Sequence, residues 1–181
     1  MSPFGFGERT GIDLPGEATG VLPSPEWKRS RFRKPEQQRW YAGETISVAI
    51  GQGALTVTPL QLAHAIGGIS AGGVWHRPHL VRNTAADTPA RKADLKTESV
   101  VAVVQSMYSV VNAGGTAGAS RLPGIDLCGK TGTAQLASND LVKSQKLGKS
   151  FADNAWFVGF APRSNPEIVV AALFENGEHG D

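Results

Sequence analysis

What most constrains the fold is a single change of hydrophobic period along the chain. Over 58–72 and again over 97–113 apolar residues recur at helical spacing, whereas beyond Gly114 they form short runs bounded by turn residues. Thr58-Pro59-Leu60-Gln61 offers a cap residue, a proline at the first helical position and a glutamine that closes a capping box. Leu62, Ala65, Ile66 and Ile69 then share one face, and Gly72-Gly73 ends a helix over 58–72. A second helix is predicted over 97–113, with Val100, Val103, Val104, Met107, Val110 and Val111 as a core-packing stripe and Gly114-Gly115 as its stop. Strands follow within 125–174: Ile125 to Leu136, Ala155 to Ala161 and Glu167 to Phe174, the last two joined as a hairpin through Pro162-Arg163-Ser164-Asn165-Pro166. Helices first and antiparallel strands after is the α+β order.

The rest of the chain reads as connection. Of 181 residues 22 are Gly and 11 are Pro, and positions 1–45 are predicted as connector loops on that ground. Val74 to Val81 reads as a short strand or extended arm that Pro78 confines to an edge. His76 and His79 within it are expected to face solvent, since no Cys or carboxylate cluster stands near to complete a metal site. Residues Asn83 to Lys96 form a polar connector. Cys128 is the lone cysteine, so no internal disulfide forms. The first residues have neither the basic nor the apolar segment of a signal peptide. The uncharged stretch from Thr45 to Trp75 is too broken by Gly and Pro to span a bilayer.

A formal charge of +2 argues against nucleic acid as a partner. The charge is uneven, however: Lys28, Arg29, Arg31, Arg33, Lys34 and Arg39 face only Glu26 and Glu36 between residues 26 and 41. With Trp27, Phe32, Trp40 and Tyr41 interleaved, this stretch allows a nucleic-acid or anionic-membrane patch, or a solvated loop with aromatic anchors. No second basic element supports a binding face, and the solvated loop is the expected form.

Gly124 to Thr131 satisfies the P-loop spacing G-x-x-x-x-G-K-[ST]. A P-loop needs a strand ending at its first glycine and a helix starting at its lysine. Ala119-Ser120-Arg121-Leu122-Pro123 is no strand, and Ile125 and Leu127 alternate with Asp126 and Cys128 as a strand entering a sheet would. Lys130-Thr131-Gly132 also matches the third motif of the penicillin-recognising serine acyltransferases, whose set is S-x-x-K, S-x-N or S-D-N, and K-T-G. On an edge strand this motif suits a bound peptide. Gly132 would permit close approach, Lys130 would attract an anionic end, the Thr131 and Thr133 hydroxyls could bond that carboxylate, and the Thr133 amide could serve as an oxyanion donor.

Several blocks in order resemble the transpeptidase domain of class B penicillin-binding proteins. They are Ile50-Gly51-Gln52-Gly53, Thr58 to Ala63, Lys130-Thr131-Gly132-Thr133-Ala134-Gln135, and Asn154 to Pro162. Phe4-Gly5-Phe6-Gly7, Thr10 to Glu17, and Glu175 to Gly180 are similar to the rod-elongation type, penicillin-binding protein 2. The resemblance implies the serine β-lactamase/transpeptidase fold and a D,D-transpeptidase that cross-links peptidoglycan stem peptides through a serine acyl-enzyme. It further implies acylation by β-lactams, the periplasmic face of the cell inner membrane, and partnership with a membrane glycan polymerase and the elongation complex. No metal or organic cofactor is implied. Lys130, Thr131, Gly132 and Thr133 inherit the third motif's substrate-binding role, and Lys130 and Thr133 its catalytic one.

The other two motifs are missing from the sequence. No Ser begins an S-x-x-K or an S-x-N, and Ser138-Asn139-Asp140 reverses the order and reads as loop. In the family both precede the segment that Phe4-Gly5-Phe6-Gly7 resembles, so the chain is expected to be a partial domain, truncated at both ends, with its nucleophile and membrane anchor elsewhere. It is expected to be inactive alone, with a small sheet that exposes one edge and one face. A P-loop nucleotide-binding protein and a noncatalytic interaction module are the alternative readings.

Overall fold

The computed structural model describes residues 3–82, 89–136 and 152–180. Three strands form its sheet: β3 (Cys128–Ala134), β4 (Asn154–Ala161) and β5 (Ile168–Phe174), in the order β3-β4-β5 and antiparallel throughout. The register sets Cys128 opposite Phe160, Lys130 opposite Val158 and Gly132 opposite Trp156. Because side chains alternate across a strand, Cys128, Lys130 and Gly132 share a face with Val158, Phe160 and Val169.

Two helices cover that face: α4 (Pro59–Ser70) packs on β4 and β5, and α5 (Thr97–Asn112) packs on β3. Met107 of α5 meets Cys128 and Phe160 in a buried cluster, with Ile66, Val104, Tyr108 and Val169 around it. The stripe on α5 thus packs its inner members, but Val103, expected in the core, is exposed, as is Val101 outside the stripe. On the opposite face of the sheet, Ile168 and Phe174 of β5 are 59% and 71% exposed.

The start of α4 forms as its sequence dictates. Thr58 Oγ1 accepts from the Gln61 amide at 3.1 Å, and the Gln61 side chain accepts from the Thr58 amide at 2.9 Å. The close packing of α4 against β1 (Val74–Trp75) depends on Gly68, since a Cβ there would overlap the Trp75 indole. β1 pairs with β2 (Arg91–Lys92), so the expected arm is a two-residue strand, and the expected polar connector supplies its partner. Part of that connector, residues 83–88, lies outside the described residues. Arg91 sits over the Trp75 ring and donates to the Pro3 carbonyl at 2.7 Å, which fixes the chain's first glycine-rich turns beside β1.

The expectation of loop throughout 1–45 is corrected. Helices α1 (Pro25–Arg31) and α2 (Pro35–Gln38) lie within it, and α3 (Ala42–Ala49) begins there. Ser24 caps α1 by accepting from the Trp27 amide at 3.1 Å, with Pro25 at the first position, the same grammar as Thr58-Pro59. The basic stretch is thereby partly neutralised. Lys28 bonds both oxygens of Glu44 at 2.7 Å, Arg29 pairs with Glu26, and Arg39 lies over the Tyr41 ring.

Candidate active site

Among the described residues β3 is an edge strand, and its hydrogen-bonding row is the basis of the site. In an antiparallel ladder a residue turns its N–H and C=O to the same side, and successive residues alternate. The Thr131 carbonyl accepts from Lys130 Nζ at 2.7 Å, and the Thr133 carbonyl accepts from Gln52 Nε2 at 2.9 Å. Neither partner belongs to β4, so Thr131 and Thr133 present both backbone groups to the open edge. Among the described residues their N–H groups meet no acceptor there. Two outward donors, two residues and roughly 6.8 Å apart, match the repeat of an extended peptide.

The side chains divide between the two faces. Lys130 shares the helix-covered face and borders a groove of about 580 Å³ lined by Leu62, Ile66, Val103, Met107, Val110 and Val158. Thr131 points to the other face, where its hydroxyl lies 2.8 Å from that of Thr116. The threonine hydroxyls and the lysine therefore flank the edge from opposite sides instead of converging on one point. At Gly132 a Cβ would come within 3.3 Å of Trp156 Cβ, and the chain at Gly180 lies against the Gly132 and Trp156 backbone. Gly129 leaves room for the Phe157 ring and Val111, which keeps the strand seated against its neighbours.

Among the described residues, neither the cysteine of β3 nor the serine of the groove is a ready nucleophile. Cys128 is fully buried, and burial pushes its thiol above the usual range, against the weaker pull of Arg163, so it stays a neutral core residue. The serine of the groove, Ser106, donates to the Ala102 carbonyl one turn back at 2.8 Å. Among the described residues no group of three potential metal ligands forms, and no helix is long and apolar enough to cross a membrane. His76 and His79 are exposed. Ser138-Asn139-Asp140 lies outside the described residues.

The P-loop reading does not survive the backbone. A 3₁₀ turn, Gly118–Ser120, precedes Gly124, and Lys130-Thr131 continue β3 where a helix would have to begin. Two contributors were not legible as site residues: Gln52, 81 positions from Thr133, and Thr116 after α5. Ile50-Gly51-Gln52-Gly53 stands among the blocks that carry the family resemblance, but the contact of Gln52 with β3 is not written in local pattern.

A helix-backed antiparallel sheet with K-T-G-T on its edge defines a class, and the chain belongs to it: the model of the penicillin binding protein transpeptidase domain matches residues 1–181. Within that family the similarity is to penicillin-binding protein 2. The chain is 42% identical over 192 residues to the peptidoglycan D,D-transpeptidase MrdA of Acinetobacter baumannii, covering 99% of the chain and 28% of that relative. It matches the penicillin-binding protein 2 of Helicobacter pylori, solved in complex with MreC, at a TM-score of 0.80 and 36% identity, over 97% of the chain and 31% of that structure. It also matches Pseudomonas aeruginosa penicillin-binding protein 2, solved in complex with WCK 5153, at 0.78 and 38%, over 99% of the chain and 38% of that structure. The chain thus spans less than a third of the length of the curated relative.

Proposed function

We propose that the chain provides the substrate strand of a peptidoglycan D,D-transpeptidase, which cross-links stem peptides ending in D-Ala-D-Ala through a serine acyl-enzyme and is acylated by β-lactams. The observation that supports this most is the outward pair of N–H groups on Thr131 and Thr133, set on an edge strand beside Lys130. An extended stem peptide adds to β3 as a further antiparallel strand. Lys130, whose Nζ reaches the edge at the Thr131 carbonyl, attracts the terminal carboxylate from one face of the strand, the Thr131 hydroxyl approaches that end from the other, and Gly132 admits the close approach. The Thr133 amide donates to the oxyanion of the tetrahedral intermediate, a contribution of roughly 3–4 kcal/mol in comparable sites.

The serine is not supplied by an S-x-x-K of this chain. By family the reaction takes place at the periplasmic face of the inner membrane. The partners that fit are the elongation complex, by analogy with the MreC complex of the Helicobacter protein, and a membrane glycan polymerase.

The test is a titration of the ¹⁵N-labelled chain with an amine-blocked tripeptide ending in D-Ala-D-Ala. The expected response centres on the Thr131, Gly132 and Thr133 amides and weakens in Lys130→Ala. A chain whose β3 amides stay still at saturating peptide would sink the reading.

A further inference from the structure

We infer that Gln52 is a latch on the substrate strand, its carboxamide occupying in cis the edge groups that an incoming peptide has to take. The inference rests on the reading of β3 as the peptide-binding edge and adds to it a residue that competes with substrate.

Gln52 Nε2 donates to the Thr133 carbonyl at 2.9 Å, and Gln52 Oε1 accepts from the Gln135 amide at 3.3 Å. A carboxamide carries the donor and acceptor of a peptide group, so this side chain completes the edge as one link of a neighbouring strand would. Thr133 C=O and Gln135 N–H continue the same outward row as Thr131 N–H and Thr133 N–H. In antiparallel pairing, one residue of the incoming strand exchanges both of its backbone bonds with one residue of the host. A peptide whose carbonyl takes the Thr133 N–H therefore aims its own N–H at the Thr133 carbonyl, where Gln52 already sits.

The geometry of the loop suits a latch that opens by side-chain rotation. Gly51 and Gly53 both adopt left-handed φ, 77° and 74°, which makes the tight turn that presents Gln52. The backbone of the turn is held by Gln52 N–H to the Ser47 carbonyl at 2.8 Å and Gly51 N–H to the Val48 carbonyl at 3.0 Å. Side-chain torsions are thus free to turn while the main chain stays anchored to α3. Closed, the latch also covers part of an edge that would otherwise pair with other chains.

The same tripeptide titration tests the latch. Removing two neutral hydrogen bonds that substrate must displace is expected to tighten binding about tenfold in Gln52→Ala. Gln52→Met keeps the length of the side chain but has no N–H for the Thr133 carbonyl and adds no charge, and is expected to bind more tightly as well. In the unsubstituted chain, the Gln52 side-chain amide resonances should move as the peptide saturates, a response that a fixed structural staple would not give. Should either variant fail to fold, that movement decides alone: motion supports the latch and stillness overturns it. If the Thr131 and Thr133 amides respond but Gln52→Ala binds no more tightly, the latch is wrong and the reading of β3 stands. If no β3 amide responds in any form of the chain, both fall together.

Discussion

The side-chain nitrogen of Gln61 donates to the carbonyl of Thr19 at 2.7 Å across 42 residues of sequence, and the same nitrogen donates to the Glu8 carbonyl at 2.7 Å. Gln61 is 1% exposed, a buried polar side chain whose oxygen is also occupied, by the Thr58 amide. One residue thereby ties the glycine-rich N-terminal loops to the first turn of α4. Gln61→Leu keeps most of the volume but leaves two carbonyls and the Thr58 amide without this partner, and is expected to cost about 3 kcal/mol. Urea unfolding measures the loss, and faster proteolysis between residues 8 and 20 would accompany it. An unchanged midpoint would show that the loops are held by other contacts.

Gly68 and Trp75 make the second stability prediction. Trp75 is 2% exposed and packs where the Gly68 side chain would be, so Gly68→Ala forces α4 away from β1. The expected loss is about 3 kcal/mol, at the upper end of the overpacking range. Gly72→Ala serves as the comparison for backbone strain without crowding, because nothing stands within 4 Å of its Cβ position but its φ is 70°. Thermal unfolding should rank Gly68→Ala as the worse of the two.

His64 gives the fold a pH dependence. Burial lowers its pKa below the ordinary 6.5, outweighing the acceptor offered by the His76 carbonyl at 2.9 Å, and nearby Arg91 lowers it further, while Glu17 opposes the shift. The unfolded chain therefore binds a proton more readily than the folded one. Stability from this group is complete above about pH 6.5 and is lost as pH falls through the depressed folded value. Urea midpoints measured between pH 7.5 and 5 should fall, and His64→Gln should flatten that part of the profile. A profile unchanged by the substitution would assign the dependence to other groups.

Lys130→Ala separates binding from folding. The side chain is exposed on the edge strand, so stability should change by less than about 0.5 kcal/mol, while affinity for the tripeptide drops. Equal loss of stability and affinity would instead make Lys130 a structural residue.

The purified 181-residue chain should not be covalently labelled by a fluorescent penicillin, since no S-x-x-K stands in its sequence. Stoichiometric labelling at any serine, mapped by mass spectrometry, would overturn this.

The elements were legible wherever a local signal and the tertiary structure agreed. Thr58-Pro59 with Gln61 marked a helix start, Gly72 and Gly114 marked helix ends, and the Pro162 to Pro166 turn marked a hairpin. Ser24-Pro25 carried the same start signal for α1, but the density of Gly and Pro around it concealed a seven-residue helix. The two-residue pairing of β1 with β2 was not legible, because such short strands exist only through what they pack against: Trp75 inside and Arg91 above it.

The sequence by itself determined the α+β order, the strand carrying Lys130-Thr131-Gly132-Thr133 and the family it resembles, since capping, periodicity and motif spacing act over a few residues. Only the tertiary structure decided which backbone groups of that strand face outward. It alone brought the Thr116 hydroxyl onto that of Thr131, and it alone brought Gln52 onto the Thr133 carbonyl. Those outcomes depend on ladder register and on contacts across 81 residues, where each local choice is compatible with several neighbours and only packing selects one.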